Sequence, residues 1–224
     1  MSKIVTSLSG GLDSAVLCAT LLAERKDYQV LPIFFRYGSK HERWEEEAAH
    51  RVAEHFSLPL TPVDLRAAFA HTKSALLGAD KRHIPKVRYD RESMAHTLVP
   101  GRNLIFASFL AAIAESRQAE ALALATHAGD LCLYPDCRPS FNAALADAIM
   151  VSSDGKVRLL TPFSAMDKAS IVMQGMRLGV PFALTRSCYG DQALSCGECG
   201  ACRERLAAFA ANGIADPLAY AATV

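Results

Sequence analysis

The chain has 224 residues, of which 51% are apolar, 21% charged and 8% aromatic. Lysine and arginine number 24 against 23 aspartates and glutamates, a formal charge of +1. This length builds one large domain or two small ones. The composition excludes a disordered chain, and the charge balance does not read as that of a general binder of nucleic acid or membrane, leaving only a local basic patch open.

No run approaches the ~18 consecutive apolar residues expected of a membrane span. The opening Met-Ser-Lys-Ile-Val-Thr lacks the apolar stretch of a secretory signal. The expectation is a cytoplasmic protein with no membrane partner. Seven cysteines, an odd number without a signal, point to metal or catalysis in a reducing compartment rather than to disulfides.

In chain order, residues 3–8 read as a short strand and 12–24 as an Ala/Leu-rich helix. Residues 30–35 read as a buried strand, 42–56 as a charged helix and 60–65 as a further strand. This alternation predicts a parallel sheet covered by helices. Residues 68–97 lose all periodicity and carry His71, His83, His96, Gly78 and Pro85. Such a stretch reads as a long mobile insertion, a lid or a binding loop. Residues 102–116 form an apolar helix, 121–126 a strand, 127–139 a loop and 141–152 a helix. Residues 158–161 form a short strand, and the helix 168–178 stops at Gly179. Residues 1–185 are expected to form the catalytic unit, and 186–224 a small region organised by cysteines.

Two features carry chemistry. The first is Ser9-Gly10-Gly11-Leu12-Asp13-Ser14, between the first strand and the first helix. Its glycines permit a tight turn and close approach of amides to an anion. The helix start adds partial positive charge, Ser9 and Ser14 add hydroxyls, and Asp13 is suited to a Mg²⁺ that bridges phosphates. It is neither the Walker nor the dinucleotide glycine pattern. The second feature is Cys188, Cys196, Cys199 and Cys202. Their spacing fits a closed, structural Zn²⁺ site, with an iron–sulfur cluster or redox thiols as alternatives. Cys18 reads as core, whereas Cys132 and Cys137 fall in a loop where a reactive thiol is conceivable.

The six-residue glycine loop resembles the pyrophosphate loop of the PP-loop ATP pyrophosphatases. Four further stretches narrow the resemblance: Phe35-Arg36-Tyr37-Gly38-Ser39-Lys40-His41, Val99-Pro100-Gly101-Arg102-Asn103, Tyr134-Pro135-Asp136-Cys137-Arg138, and Thr161-Pro162 with Asp167-Lys168. With the cysteines, the set is similar to the 7-cyano-7-deazaguanine synthases of queuosine biosynthesis. The resemblance implies a doubly wound, mostly parallel α/β fold of the PP-loop type with a small C-terminal zinc-binding subdomain. It implies an ATP-dependent ligase, dimeric as a rule, acting on 7-carboxy-7-deazaguanine and ammonia, with no direct nucleic-acid partner.

It also implies roles. Ser9, Gly10, Gly11, Leu12, Asp13 and Ser14 would hold ATP with Mg²⁺. Asp13, Arg102 and Lys168 would serve catalysis as metal ligand and neutralising cations. Asn103, Asp130, Tyr134, Asp136 and Arg138 would contact the deazaguanine, and His41 would be a proton shuttle or a helix-start histidine. The family's Glu-Thr-Asp-Phe-Ser-Gly segment is replaced here by His127-Ala128-Gly129-Asp130-Leu131-Cys132-Leu133. A synthase-like paralogue using another amine, a PP-loop tRNA-modifying enzyme and a non-catalytic zinc module remain as alternatives.

Overall fold

The computed structural model describes residues 2–24, 27–84, 94–130 and 134–221. Cys132 and part of the expected insertion, 85–93, lie outside the described residues. Strands β1 (Ser2–Ser7), β2 (Tyr28–Arg36), β3 (Thr61–Asp64), β4 (Ala121–Ala123) and β5 (Arg158–Leu160) form one sheet. Their order is β3-β2-β1-β4-β5, and every pair is parallel.

The strand residues alternate between two cores, as a pleat requires. Ile4, Val30, Phe34, Ala121 and Ala123 face one side, with helices α1 (Leu12–Glu24) and α2 (Glu42–His55). Val5, Ile33, Phe35, Leu122 and Leu124 face the other. There they meet the short helix α3 (Arg66–Phe69), α4 (Arg102–Ser116) and α5 (Pro139–Ser152). Helix α6 (Lys168–Arg177) packs Ile171 and Val172 into the first core. The expected doubly wound fold is therefore present, with helices on both faces of a fully parallel sheet.

From β1 the chain moves outward through β2 and β3, then returns to place β4 on the other side of β1. The carboxyl ends of β1 and β4 thus flank a topological switch point, where open α/β sheets bind ligands.

Residues 200–211, which begin within the cysteine quartet and include its Cys202, form helix α7 (Gly200–Ala211). Its Ala208 and Phe209 enter the first core, so the cysteine region is docked on the sheet domain. Arg205 and Asp216, each 1% exposed, pair at 2.6 Å. Arg205 also donates to Thr185 Oγ1 at 2.6 Å and to the Phe182 carbonyl at 3.0 Å.

The described parts of 68–97 are packed: Leu76, Leu77 and Met94 are buried, and the Ala75 amide donates to the His96 carbonyl at 2.8 Å. One described stretch, Ala95–Ser116 (22 residues), contains an 18-residue window with a mean hydropathy of 1.4, but His96, Arg102 and Asn103 interrupt it, so it is not a run of consecutive apolar residues. It is broken at Pro100-Gly101, where Gly101 takes φ +67°. The regular helix is the 15-residue α4, which lays Ala107, Leu110 and Ala114 against the sheet.

Candidate active site

The β1–α1 connection turns at Gly10, whose φ is +77°. A Cβ there would meet the Glu45 carbonyl at 2.5 Å and the Ala49 amide at 2.6 Å. Helix α2 therefore lies directly over the loop, and only glycine fits beneath it. The Ser9 and Ser14 hydroxyls stand 3.1 Å apart, the Gly11 amide donates to Ser9 Oγ at 3.3 Å, and Ser14 Oγ donates to the Gly11 carbonyl at 3.0 Å. The loop is thus a hydrogen-bonded cup at the amino end of α1. Leu12 turns inward and is buried in the core.

This cup forms one end of a cleft of about 190 Å³ at the switch point. Ser9, Gly11, Asp13 and Ser14 line it from the loop, and Leu124, Ala125, Thr126, His127 and Asp130 from the segment after β4. Phe35, Tyr37 and Glu45 line it from β2 and α2, and Arg102, Asn103, Phe106 and Cys137 close the far side. Phe35 and Phe106 stack with ring centroids 4.5 Å apart.

Lys168, at the start of α6, reaches the loop from 155 residues away and donates to Asp13 Oδ2 at 2.6 Å. Its ammonium is also 3.2 Å from Glu204 Oε2 and 3.1 Å from His127 Nε2. His127 in turn is 3.4 Å from Asp130. Burial opposes charge on Lys168, but Asp13, Glu204 and Asp130 hold its ammonium well above the usual lysine range. It is therefore a permanent cation and not a base. Burial likewise opposes the Asp13 carboxylate, and Lys168 and His127 outweigh it, holding Asp13 below the usual range. Asp13 Oδ1 is buried with no hydrogen-bond partner among the described residues.

His127, Asp130 and Glu204 also place one ligand atom each within 4.8 Å of one another, a spacing into which Lys168 already extends its charge. Glu204 had no local signal in the sequence. It lies two positions beyond Cys202, and only the packing of α7 against α6 brings it to Lys168.

Asp136 does not line the cleft. Its carboxylate accepts the Asn103 amide at 3.1 Å, and its carbonyl accepts Asn103 Nδ2 at 3.0 Å. It thereby caps α4 and fixes Arg102 and Asn103. Arg138 is the N-cap residue of α5. Tyr134 is 9% exposed and shares a 3.1 Å hydroxyl contact with Thr97. Of these three residues, Asp136 stands against Asn103 in the cleft wall. Cys137 is buried, and burial, with Asp130 and Asp136 adding, pushes its thiol up. Cys18 is fully buried, and burial pushes its thiol up to about 12. His41 is 1% exposed, 3.3 Å from Glu45.

The four C-terminal cysteine sulfurs all lie within 4.8 Å of one another, close enough to hold one metal ion. Cys196 and Cys202 sulfurs are 3.9 Å apart, near the ~3.8 Å edge of a tetrahedron with metal–sulfur bonds of ~2.3 Å. Amides of Gly190 and Cys196 donate to Cys188 Sγ at 3.2 and 3.3 Å, and the Cys199 amide donates to Cys196 Sγ at 3.3 Å. Donors of this kind favour thiolates over thiols.

The model of the family described as queuosine biosynthesis protein QueC matches residues 3–213. The chain belongs to this family. It is 41% identical to a 7-cyano-7-deazaguanine synthase of Methanoregula boonei, over 97% of this chain and 99% of that protein. It is 38% identical to a synthase of the same name from Chromohalobacter salexigens, over 98% of this chain and 86% of that one. Among solved structures, an NMN synthetase from Francisella tularensis shares the fold, with a TM-score of 0.54 and 17% identity over 94% of this chain and 77% of that one. Membership in the QueC family agrees with the glycine loop and the cysteine quartet. Within that frame, His127 and Glu204 stand beside the one lysine that reaches the loop among the described residues.

Proposed function

We propose that the chain is an ATP-dependent carbon–nitrogen ligase that converts 7-carboxy-7-deazaguanine and ammonia to 7-cyano-7-deazaguanine. The observation that carries this reading is the junction of the serine–glycine cup, the Asp13–Lys168 pair and Arg102 in one cleft. The family relationship supports the choice of acid.

A carboxylate resists amination because oxide is a poor leaving group. Transfer of AMP from ATP to a carboxylate oxygen releases pyrophosphate and makes that oxygen a good leaving group. Ammonia then adds to the carbonyl carbon, and AMP departs to leave the amide. A second adenylation, on the amide oxygen, followed by loss of AMP and two protons, leaves the nitrile. Both rounds need the same cup for departing pyrophosphate and the same cations for developing charge.

Ser9, Gly10, Gly11, Leu12 and Ser14 build that cup at the amino end of α1, whose partial positive charge suits the phosphates. Lys168 supplies a fixed positive charge. Arg102 holds the substrate carboxylate, with Asn103 and Asp130 beside it, and Tyr134, Asp136 and Arg138 brace that wall. Asp13 Oδ1, buried and without a partner among the described residues, is the oxygen suited to a Mg²⁺ ion, which would neutralise the phosphates and stabilise the leaving group. The cysteine quartet suits one structural Zn²⁺, with all four positions taken by sulfur.

We place the catalytic unit in residues 1–185 and the zinc-binding region in 186–224. Leu104 and Phe109 on α4, and Met150 and Val151 on α5, are exposed apolar side chains that support a homodimer. The balanced charge supports an enzyme that does not bind nucleic acid directly, and we place it in the cytoplasm. The test is mass spectrometry of products after incubation with ATP, Mg²⁺, ammonium and the acid. Appearance of the nitrile with two AMP per turnover is the expected result. Activation of the acid without amide or nitrile would refute the choice of ammonia as acceptor.

A further inference from the structure

Glu45 is the cleft carboxylate that the reaction scheme leaves without a task. It stands in the first turn of α2, its backbone carbonyl over Gly10 and its side chain 17% exposed. Asp13 is paired with Lys168, and Asp130 lies beside His127. The partners of Glu45 are Ser39 Oγ at 3.3 Å on Oε2 and His41 Nε2 at 3.3 Å on Oε1. His41 Nδ1 is buried with no partner among the described residues. Nε2 is therefore the ring nitrogen that serves Glu45. The Glu45 carboxylate thus lines the cleft held by a serine hydroxyl and an imidazole, with no lysine or arginine paired to it among the described residues.

A guanidinium shares the same cleft. Arg102 faces the Tyr37 phenol and forms no ion pair among the described residues. Burial, with the Glu45 charge adding, pushes that phenol up to about 12, so Tyr37 stays neutral between the two charged groups. Phe35 and Phe106, stacked on each other, line the cleft with apolar surface, with Tyr37 edge-on to Phe106 at 5.6 Å. Carboxylate, aromatic wall and guanidinium together complement a planar heterocycle with hydrogen-bond donors on one edge and an anionic group on another.

We propose that Glu45 selects the deazaguanine ring by its 2-amino-pyrimidinone edge. One carboxylate oxygen accepts the ring N1–H and the other accepts a 2-amino N–H, while Arg102 takes the carboxylate at C7. An ionised carboxylate offers acceptors only, and that edge offers two adjacent donors. Adenine has no such pair: a bare acceptor nitrogen sits beside its amino group and would oppose Glu45. The same residue thereby separates the two purine-like substrates of one active site. The assignment rests on the ligase reading above.

The test compares 7-carboxy-7-deazaguanine with the analogue lacking its 2-amino group, on the unaltered enzyme and on Glu45→Gln and Glu45→Ala. A site built around a substrate N–H rejects the analogue that lacks it, and the unaltered enzyme should prefer the amino compound by roughly 100-fold or more in kcat/KM. Both variants should lose most of that preference through a raised KM for the acid, while KM for ATP stays within about two-fold. Equal use of the two acids by the unaltered enzyme overturns the assignment without any variant and leaves the ligase reading intact. A preference that survives Glu45→Gln, or a shift in KM for ATP instead of the acid, also overturns it. No turnover of either acid by the unaltered enzyme removes the ligase reading, and the Glu45 assignment with it.

Discussion

Replacing Asp216 with alanine tests how the C-terminal region is fastened to the sheet domain. The substitution removes the acceptor of Arg205 Nε (2.6 Å) and Nη2 (3.0 Å), of the Tyr220 hydroxyl (2.7 Å) and of the Leu218 amide (3.1 Å). Arg205 is 1% exposed, so its guanidinium stays in the interior with two neutral oxygens, Thr185 Oγ1 and the Phe182 carbonyl, as partners. Removing one member of such a pair costs about 3–5 kcal/mol. For a chain of this size that is a drop in Tm of roughly 6–20 °C.

The pair also sets a pH dependence. Burial pushes the Asp216 carboxyl up, but the hydrogen bond and charge of Arg205 outweigh it and hold the group below its ordinary value. Its contribution is therefore complete above the unfolded value of ~3.9 and is lost as pH falls through the folded one. Thermal unfolding followed by circular dichroism should show the full gap between parent and variant at pH 7, narrowing below about pH 4. Combining Asp216→Leu with Arg205→Met removes both charges, and the double variant should cost at least ~1 kcal/mol less than the sum of the single changes. A drop in Tm of less than about 3 °C for Asp216→Ala would refute the reasoning, because an unpaired buried guanidinium cannot be that cheap.

Gly10→Ala puts a side chain into α2 at a positive φ. The loop should shift, with turnover falling at least ~10-fold; unchanged kinetics would show that the cup tolerates a Cβ. Lys168→Met removes the cation that offsets the burial of Asp13. A loss of kcat of about 100-fold or more, and a rise of the acidic limb of the pH–rate profile, are the expected outcomes. An unmoved limb would show that Asp13 ionisation does not control the rate. Cys137→Ser alters a buried thiol that burial keeps protonated. It should retain kcat within about ten-fold, and a complete loss would restore the thiol as a reacting group.

Local chemistry was legible in the sequence wherever one segment carried it. The helix after the glycine loop spans residues 12–24 as read, because Gly-Gly marks its start and its Ala/Leu content fills it. Gly179 ends the helix that begins at Lys168, and its φ of +68° is the left-handed turn such a stop requires. The strand read over 121–126 pairs only through Ala121–Ala123, since Leu124, Ala125 and Thr126 leave the ladder to line the cleft. Helix α7 escaped the reading because cysteines at metal-ligand spacing hide its start.

The site was legible in its loop and its cysteines and opaque elsewhere. Asp13, Lys168 and Glu204 belong to three elements, and the bond that joins the first two spans 155 positions. Asp136 shows the opposite limit. Its motif draws attention to a ligand role, and its carboxylate is taken up by a helix amide, a use that only the fold reveals.

The cysteine quartet is joined to the catalytic cleft on both flanks, which determines what metal removal should do. Two positions before Cys188, the Arg186 amide donates to the Gly10 carbonyl at 2.8 Å, so the segment entering the knot also braces the glycine loop. The Arg186 guanidinium holds the carbonyls of Ala193, Gly190 and Gln192 at 3.1, 2.7 and 2.7 Å. Beyond Cys202, Glu204 meets Lys168. Little else orders residues 186–199, which contain no regular element and little apolar surface. A metal closing four thiolates supplies ~10 kcal/mol or more toward ordering such a piece. Cys202→Ser should therefore release one equivalent of zinc, lower Tm, and reduce turnover through a loosened Gly10 and Lys168, with no role for the metal in bond making. Cobalt substitution separates this from direct participation. A closed four-sulfur site gives a spectrum indifferent to ATP and to the acid, because no ligand position is open. A spectrum that changes when the acid binds would place the metal in the chemistry and end the structural assignment.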